Sequence, residues 1–308
     1  MISKAVVETL KQFLPAENVF EKEPMKKHTT FRIGGEADCL LEIENVEQLK
    51  KVQRYLQQLE IPYFVLGNGS NLLVGDEGYR GVILEIADKM NEVKVIGSRL
   101  VAQAGASMSK IARIACENGL TGFEFAAGIP GTIGGGVVMN AGAYGGELKQ
   151  VVALVRVVDK EGNLLELDNG TMEFGYRTSA IKHQPFIVTE VEIELQPGEQ
   201  ADIKARMEEL ATKRREKQPL EYPSAGSTFK RPEGYFAGEL IMNAGLRGYQ
   251  IGGAQVSEKH CGFVINKGNA TATEISTLMK NVTQIVKEKF DQGNITEVQA
   301  MDYLKIID

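Results

Sequence analysis

The sequence predicts an α+β protein in two parts, and three observations carry that reading. Short apolar runs of strand length alternate with amphipathic helical stretches along most of the chain. Of the 33 glycines, 17 fall between Gly67 and Gly146, so one region is dense in tight turns. Past the punctuation QPGEQ at 196–200 the composition shifts to a long, highly charged helical stretch, which marks a domain boundary. The expected division is residues 1–198 and 199–308. A chain of 308 residues agrees with two domains at about 150 residues each.

The elements follow in order. MISKAVVETLKQFLPAENVF carries Lys4, Glu8 and Lys11 inside its apolar pattern, which fits an amphipathic helix and not the apolar segment of a secretion signal. FRIGGEADCLLEIENVEQLKKVQRYLQQL reads as a strand and then a helix with Leu49, Val52, Leu56 and Leu59 on one face. YFVL is the next strand. VILEI, EVKVIG and LVAQAG read as adjacent strands separated by Gly and charge. Ser107 is placed to cap a helix containing Ile111, Ile114 and Ala115, closed by Gly119. VVALVRVVD, LLELD and FIVTEVEIEL follow. In the last of these, Val191, Ile193 and Leu195 alternate with Glu190, Glu192 and Glu194, the signature of a half-buried strand. Beyond the boundary, ADIKARMEELATKRREK is a helix stopped by Pro219. A second long helix over 271–290 presents Ile275, Leu278, Met279, Val282, Ile285, Val286 and Phe290 as one core-facing stripe.

Composition narrows the function. With 43% hydrophobic and 25% charged residues the chain is an ordinary globular one. A net charge of −6, with both signs interspersed, leaves no basic stripe for a nucleic acid, while permitting a few cations that grip a small anion. Cys39, Cys116 and Cys261 are odd in number and far apart, so no disulfide framework is expected and a reducing, cytoplasmic compartment is. His28, His183 and His260 share no ligand spacing, so no metal site is expected. No run approaches the ~18 apolar residues of a membrane span, and nothing signals an obligate protein partner.

Four segments carry chemistry. GNGSNLL (Gly67 to Leu73) and GIPGTIGGGVVMNAGAYGG (Gly128 to Gly146) are rich in glycine. Neither is a Walker A loop, since no GK[ST] follows, and Leu72 stands where a dinucleotide fingerprint needs its third glycine. Small residues nevertheless let backbone N–H groups close on a diphosphate, and Ser70 and Asn71 add side-chain donors. Together the two segments suggest a dinucleotide-sized cofactor. GYRTS (Gly175 to Ser179) contains Arg177, a planar two-pronged donor suited to a carboxylate, although a lone arginine is more often a surface or salt-bridged residue. KQPLEYPSAGSTFKRP (Lys217 to Pro232) places Ser227 after Gly226 in a small-residue turn, with Lys217, Lys230 and Arg231 around it as a cluster able to hold a diphosphate. No GxSxG elbow is present and no histidine lies nearby in sequence, so hydrolase chemistry is not supported. Glu297, in NITEVQ, carries no signal alone.

Taken in order, HTTFRIGG (28–35), GNGSNLL (67–73), GIPGTIGG (128–135), NAGAYG (140–145), GYRTS (175–179), SAGSTFKRP (224–232) and GGAQVSEKHCGFVIN (252–266) resemble the UDP-N-acetylenolpyruvoylglucosamine reductase family, flavoenzymes of peptidoglycan precursor synthesis. The two glycine loops alone indicate only the wider flavin-binding superfamily of the vanillyl-alcohol oxidase type. The pairing of GYR with GSxFKRP is specific to the reductases. No tyrosine occurs from Thr178 to Lys217, so the chain looks like the shorter form, without a tyrosine-bearing loop. It departs from the family at Gln299, where arginine is usual.

The resemblance implies a two-part FAD-binding domain of the vanillyl-alcohol oxidase / p-cresol methylhydroxylase type, joined to a smaller α+β substrate-binding domain. It implies noncovalent FAD, NADPH as reductant and a sugar-nucleotide substrate, with a hydride passed from flavin N5. The FAD contacts it assigns are Gly67, Asn68, Gly69, Ser70, Asn71 and Leu72 in the first loop, then Gly128, Gly131, Thr132, Ile133, Gly135, Ala141 and Gly142. Arg177 matches the family's carboxylate-binding arginine, Ser227 its proton donor and Glu297 its acidic partner. Lys217, Arg231, Lys259 and His260 are the substrate-binding candidates. Two other readings stay open: a sugar or lactone oxidase of the same superfamily, and a non-catalytic flavoprotein that binds a nucleotide sugar.

Overall fold

A computed structural model describes residues 2–232, 234–290 and 305–307. Its contacts divide the chain into two compact units. The first takes the described residues up to Lys22, Asp38–Asn68 and Arg80–Arg214; the second takes Glu23–Ala37, Gly69–Tyr79 and the described residues from Arg215 on. The compact division follows burial and not the punctuation at 196–200. Phe31, Ile33 and Leu73, all nearly or fully buried, pack in one core with Val256, Val264 and Ile275, so two early segments belong with the C-terminal part.

In the first unit, five antiparallel strands run in the order Leu164–Asp168, Val152–Val158, Ile187–Glu194, Arg99–Gln103 and Val93–Ile96. The central strand shows the expected alternation: Val191 and Ile193 are fully buried, while Glu190 and Glu192 turn outward to Arg156 and Arg99. A second sheet has the order Val19–Pro24, Glu36–Glu42, Tyr79–Glu85 and Tyr63–Leu66, the last two parallel. The expectation that VILEI, EVKVIG and LVAQAG are mutual neighbours needs correction. VILEI lies beside YFVL in the four-stranded sheet, and the other two form a hairpin in the five-stranded one. Periodicity marks a strand but not its partner.

Helix Val46–Gln58 is capped by the Asn45 side chain and buries Leu49, Val52 and Leu56. Leu59 does not join that stripe: it is the C-cap residue and 46% exposed. Helix Met108–Glu117 starts where expected, with Ser107 accepting from Lys110 N, and Gly119 follows with φ of +64°.

In the second unit, four antiparallel strands run in the order Ser224–Ser227, Phe263–Asn266, Ala254–Val256 and Gln250–Ile251. Helix Ala272–Phe290 lays Ile275, Leu278, Met279, Val282 and Val286 into this unit's core, with Ile285 and Phe290 partly covered. Its first turn is capped from a distant loop, since the Asp76 carboxylate accepts from Ala272 N at 2.7 Å and Thr273 N at 3.0 Å. Among the described residues, no helix is long and apolar enough to cross a membrane, and no group of three or more His, Cys, Asp or Glu is placed to hold a metal ion.

Candidate functional site

The head of the first glycine-rich segment, Gly67, meets the second segment in the first unit. A Cβ on Gly67, directly after the strand Tyr63–Leu66, would lie 2.5 Å from Thr132 Oγ1. Thr132 caps the short helix Ile133–Val138 through Gly135 N at 3.3 Å, and Gly131 before it has φ of +149°. Gly69 is equally constrained: its φ is +57°, and a Cβ there would sit 2.0 Å from His28 O. Only glycine satisfies both the close approach and the left-handed backbone.

Their hydrogen bonds differ. The backbone N–H groups of Gly67, Asn68, Gly69 and Ser70 donate to no acceptor among the described residues. In the helical part of the second segment the donors are spent: Ile133 N on Ala106 O at 2.8 Å, Gly134 N on Ala104 O at 2.9 Å and Gly136 N on Thr132 O at 2.9 Å. The first loop thus offers consecutive donors to an anion, and the helical part of the second offers shape. Both features fit the diphosphate and the extended body of FAD.

GYRTS is a tight turn closed by Gly175 N to Thr178 O at 3.0 Å, with Arg177 at φ +56°. The guanidinium donates from Nη2 to Gly142 O at 2.9 Å and from Nη1 to Asn140 O at 3.3 Å. Two of its five N–H donors are thereby committed and the charge is not neutralised, so one edge remains for a carboxylate.

Asn140 is the functional neighbour that sequence reasoning missed. It is 1% exposed, sits at φ +43°, and donates from Nδ2 to Gly175 O at 3.0 Å and to Glu147 Oε2 at 3.1 Å. Its Oδ1 accepts from Lys149 N at 2.9 Å. One side chain and its own carbonyl therefore lace NAGAYG to GYRTS, and Ser179 Oγ adds a bond to Val138 O at 3.0 Å. The available signal was an asparagine heading a run of small residues, a type that tolerates left-handed backbone.

In the second unit Ser227 ends the strand Ser224–Ser227 and is exposed. Gly226 before it has φ of +78°, and the pairing register to Phe263–Asn266 shifts between Ser224 and Ser227. This irregularity turns Ser227 outward. Thr228 supplies the anchor: it is 1% exposed, its N donates to Gly262 O at 2.8 Å and its Oγ1 accepts from Val264 N at 3.2 Å.

The substrate-binding candidates divide. Lys217, the last residue of helix Gln200–Lys217, is exposed, as is Lys230. Arg231 is exposed too, with Nε on Tyr235 O at 3.2 Å and its guanidinium 3.9 Å from the centre of the Phe236 ring. Lys259 is already committed, donating to Arg215 O at 2.7 Å with Glu221 at 3.9 Å. His260 accepts from Gly262 N at Nδ1, at 3.1 Å, which puts its proton on Nε2. Burial lowers its pKa below the usual histidine range, so the ring is neutral at pH 7 and offers a phosphate one hydrogen bond but no charge. Glu297 lies outside the described residues.

Comparisons with known proteins bear on the family of the chain. Residues 37–168 match the family model described as "FAD binding domain", and residues 218–301 match "UDP-N-acetylenolpyruvoylglucosamine reductase, C-terminal domain". A UDP-N-acetylenolpyruvoylglucosamine reductase from Caldanaerobacter subterraneus is 50% identical over 306 residues, covering 99% of each chain. One from Clostridioides difficile is 51% identical over 281 residues, covering 91% of this chain and 92% of the relative. The crystal structure of the reductase from Thermus caldophilus aligns with a TM-score of 0.78 at 32% identity, over 93% of this chain and 98% of that one. A 4-ethylphenol oxidase from Gulosibacter chungangensis, 16% identical with a TM-score of 0.50 over 63% of this chain and 42% of its own, shares the fold alone. The chain belongs to the UDP-N-acetylenolpyruvoylglucosamine reductase family, FAD-dependent oxidoreductases with a flavin-binding fold of the vanillyl-alcohol oxidase type.

Proposed function

We propose that this chain, in the cytoplasm, reduces the enolpyruvyl ether of UDP-N-acetylglucosamine to UDP-N-acetylmuramate for peptidoglycan precursor synthesis, with NADPH as reductant. The observation that carries the reading is Arg177, fixed on the carbonyls of Asn140 and Gly142 with donors to spare in the unit that contains the FAD-binding match. A sugar-binding oxidase has no call for a preset carboxylate clamp; an enolpyruvyl substrate does.

When bound, noncovalent FAD supplies hydride relay from NADPH to the terminal vinyl carbon through N5. The N–H groups of Gly67, Asn68, Gly69 and Ser70 hold its diphosphate, aided by Asn71 and Leu72. Gly128, Gly131, Thr132, Ile133, Gly135, Ala141 and Gly142 shape the rest of its seat. As the vinyl carbon gains a hydride, negative charge collects on the substrate carboxylate as an enolate. A fixed guanidinium stabilises that charge better than water, because its orientation is set before the reaction. This is the role of Arg177.

The neighbouring carbon then takes a proton from Ser227 Oγ. A serine hydroxyl is a weak acid, yet an enolate is basic enough to accept its proton where the resulting alkoxide is stabilised. Glu297 assists this protonation. Lys217 and Arg231 hold the substrate diphosphate, with Lys259 and His260 contributing hydrogen bonds. In functional terms residues 1–198 carry FAD and residues 199–308 carry the substrate.

The test is anaerobic and spectroscopic. Purified protein reconstituted with FAD should lose its visible flavin band on addition of NADPH and regain it on addition of the enolpyruvyl sugar nucleotide, with UDP-N-acetylmuramate formed in equal amount. Recovery with oxygen but not with the enolpyruvyl substrate would identify an oxidase. A band that NADPH leaves unchanged would identify a binding protein.

A further inference from the structure

Helix Gln200–Lys217 carries a cation that none of these roles uses. Arg214 is half-buried and makes no hydrogen bond or ion pair with any described residue. Three more exposed arginines of the same unit are ion-paired: Arg80 with Asp38 at 2.8 Å, Arg99 with Glu192 at 2.6 Å and Arg156 with Glu166 at 2.8 Å. No carboxylate acts on Arg214; its one electrostatic neighbour among the described residues is the Tyr144 phenol of the NAGAYG segment.

Its position is specific. The side chain lies along Gly128, the first residue of GIPGTIGG, where a Cβ would come within 3.1 Å of Nη1 and 3.2 Å of Cδ. A glycine in the second flavin segment therefore makes the room that the guanidinium occupies. Burial pulls the pKa of Arg214 down, yet arginine stays protonated, so the fold carries the cost of a partly desolvated charge. A cation kept at such expense beside a ligand-binding loop is spent on an anion that arrives with a ligand.

We propose that Arg214 is a diphosphate-pairing residue, its guanidinium forming charge-assisted hydrogen bonds to a diphosphate ester. The inference rests on the functional reading above, which brings two such esters to this protein, one in FAD and one in the sugar nucleotide.

The experiment uses the full chain with Arg214→Gln, Arg214→Lys and, as a control on the same helix, Lys213→Gln, whose native side chain pairs with Glu209. Three quantities are measured: the Kd of the FAD-free protein for FAD by flavin fluorescence, the Kd of the holoenzyme for UDP, and the melting temperature of the FAD-free protein. In Arg214→Gln one affinity should fall by roughly 10- to 100-fold, the range for losing a charge-assisted contact. Arg214→Lys should recover part of the loss, and Lys213→Gln should change neither affinity. A weakened Kd for FAD assigns the cofactor's diphosphate, and a weakened Kd for UDP assigns the substrate's. Because removal of an unpaired, half-buried charge removes a desolvation cost, the melting temperature of FAD-free Arg214→Gln should stay level or rise. Both affinities within twofold of wild type would overturn the proposal, as would a lowered melting temperature with unchanged binding, which marks a structural arginine. Wild-type protein that binds neither FAD nor UDP would instead overturn the functional reading itself.

Discussion

Arg177 in the first unit and Ser227 in the second are held in opposite ways. The arginine is held by a rigid scaffold: a closed turn beneath it, two carbonyls on its guanidinium, and a buried asparagine bonded to Gly175 O at the base of that turn. The serine is exposed, follows a glycine at positive φ, and leaves the structural work to Thr228 next to it. The contrast matches the demands of the two roles proposed for them. A two-pronged contact loses its value with small changes in angle, so its scaffold is rigid. A proton donor needs a hydroxyl free to rotate toward its acceptor, so only the backbone beneath it is fixed. Changes around Arg177 should therefore couple stability to rate, and changes at Ser227 should not.

The most forceful way to break this comparison is Arg177→Lys. An ammonium cannot reproduce a planar fork held by two carbonyls, and oxidation of the NADPH-reduced enzyme by the enolpyruvyl substrate should slow by about 1000-fold. Reduction by NADPH should stay within about twofold. Stopped-flow measurement of the two half-reactions checks both, and equal losses would remove Arg177 from the carboxylate role.

Asn140→Ala sharpens the coupling. It deletes three side-chain hydrogen bonds and leaves alanine at φ +43°, which should lower unfolding stability by about 2–4 kcal/mol. The substrate half-reaction should fall with it. Urea unfolding and the same kinetics decide the matter, since a destabilised variant with wild-type rate would show that Arg177 needs no scaffold.

Asp76→Asn should have the smallest effect and should touch stability alone. Burial opposes ionisation of Asp76, but hydrogen bonds from the Thr273 side chain and from Ala272 N and Thr273 N outweigh it and hold the carboxyl below its usual pKa. A folded pKa below the unfolded one means the cap contributes fully at neutral pH and is lost as pH falls through the folded value. Loss of the charge should cost about 1 kcal/mol at pH 7, with the gap to wild type closing below about pH 4. Denaturant unfolding at several pH values reads this directly, and a gap that persists in acid would mean the carboxylate charge is not the stabilising feature.

Much of this was legible in the sequence where the cause is local. The strand YFVL, the Ser107 cap, the alternation of Val191 and Ile193 with glutamates, and the Arg177 and Ser227 segments all depend on residues within a few positions of each other. What was not legible depends on distant partners. Phe31 and Leu73 are buried by residues about 200 positions away, so no window could assign them to the second unit. VILEI and EVKVIG look alike as strands and pair in different sheets. Nothing local distinguishes Asn140 within its glycine run or Arg214 within the charged run KRREK.

The separation of the two half-reactions in Ser227→Ala tests the central claim most directly. With the hydroxyl gone and its anchor Thr228 untouched, unfolding stability and the rate of flavin bleaching by NADPH should match wild type. Recovery of the flavin band by the enolpyruvyl sugar nucleotide should slow by at least about 100-fold. A variant that recovers at the wild-type rate, or that loses both half-reactions equally, would contradict the account.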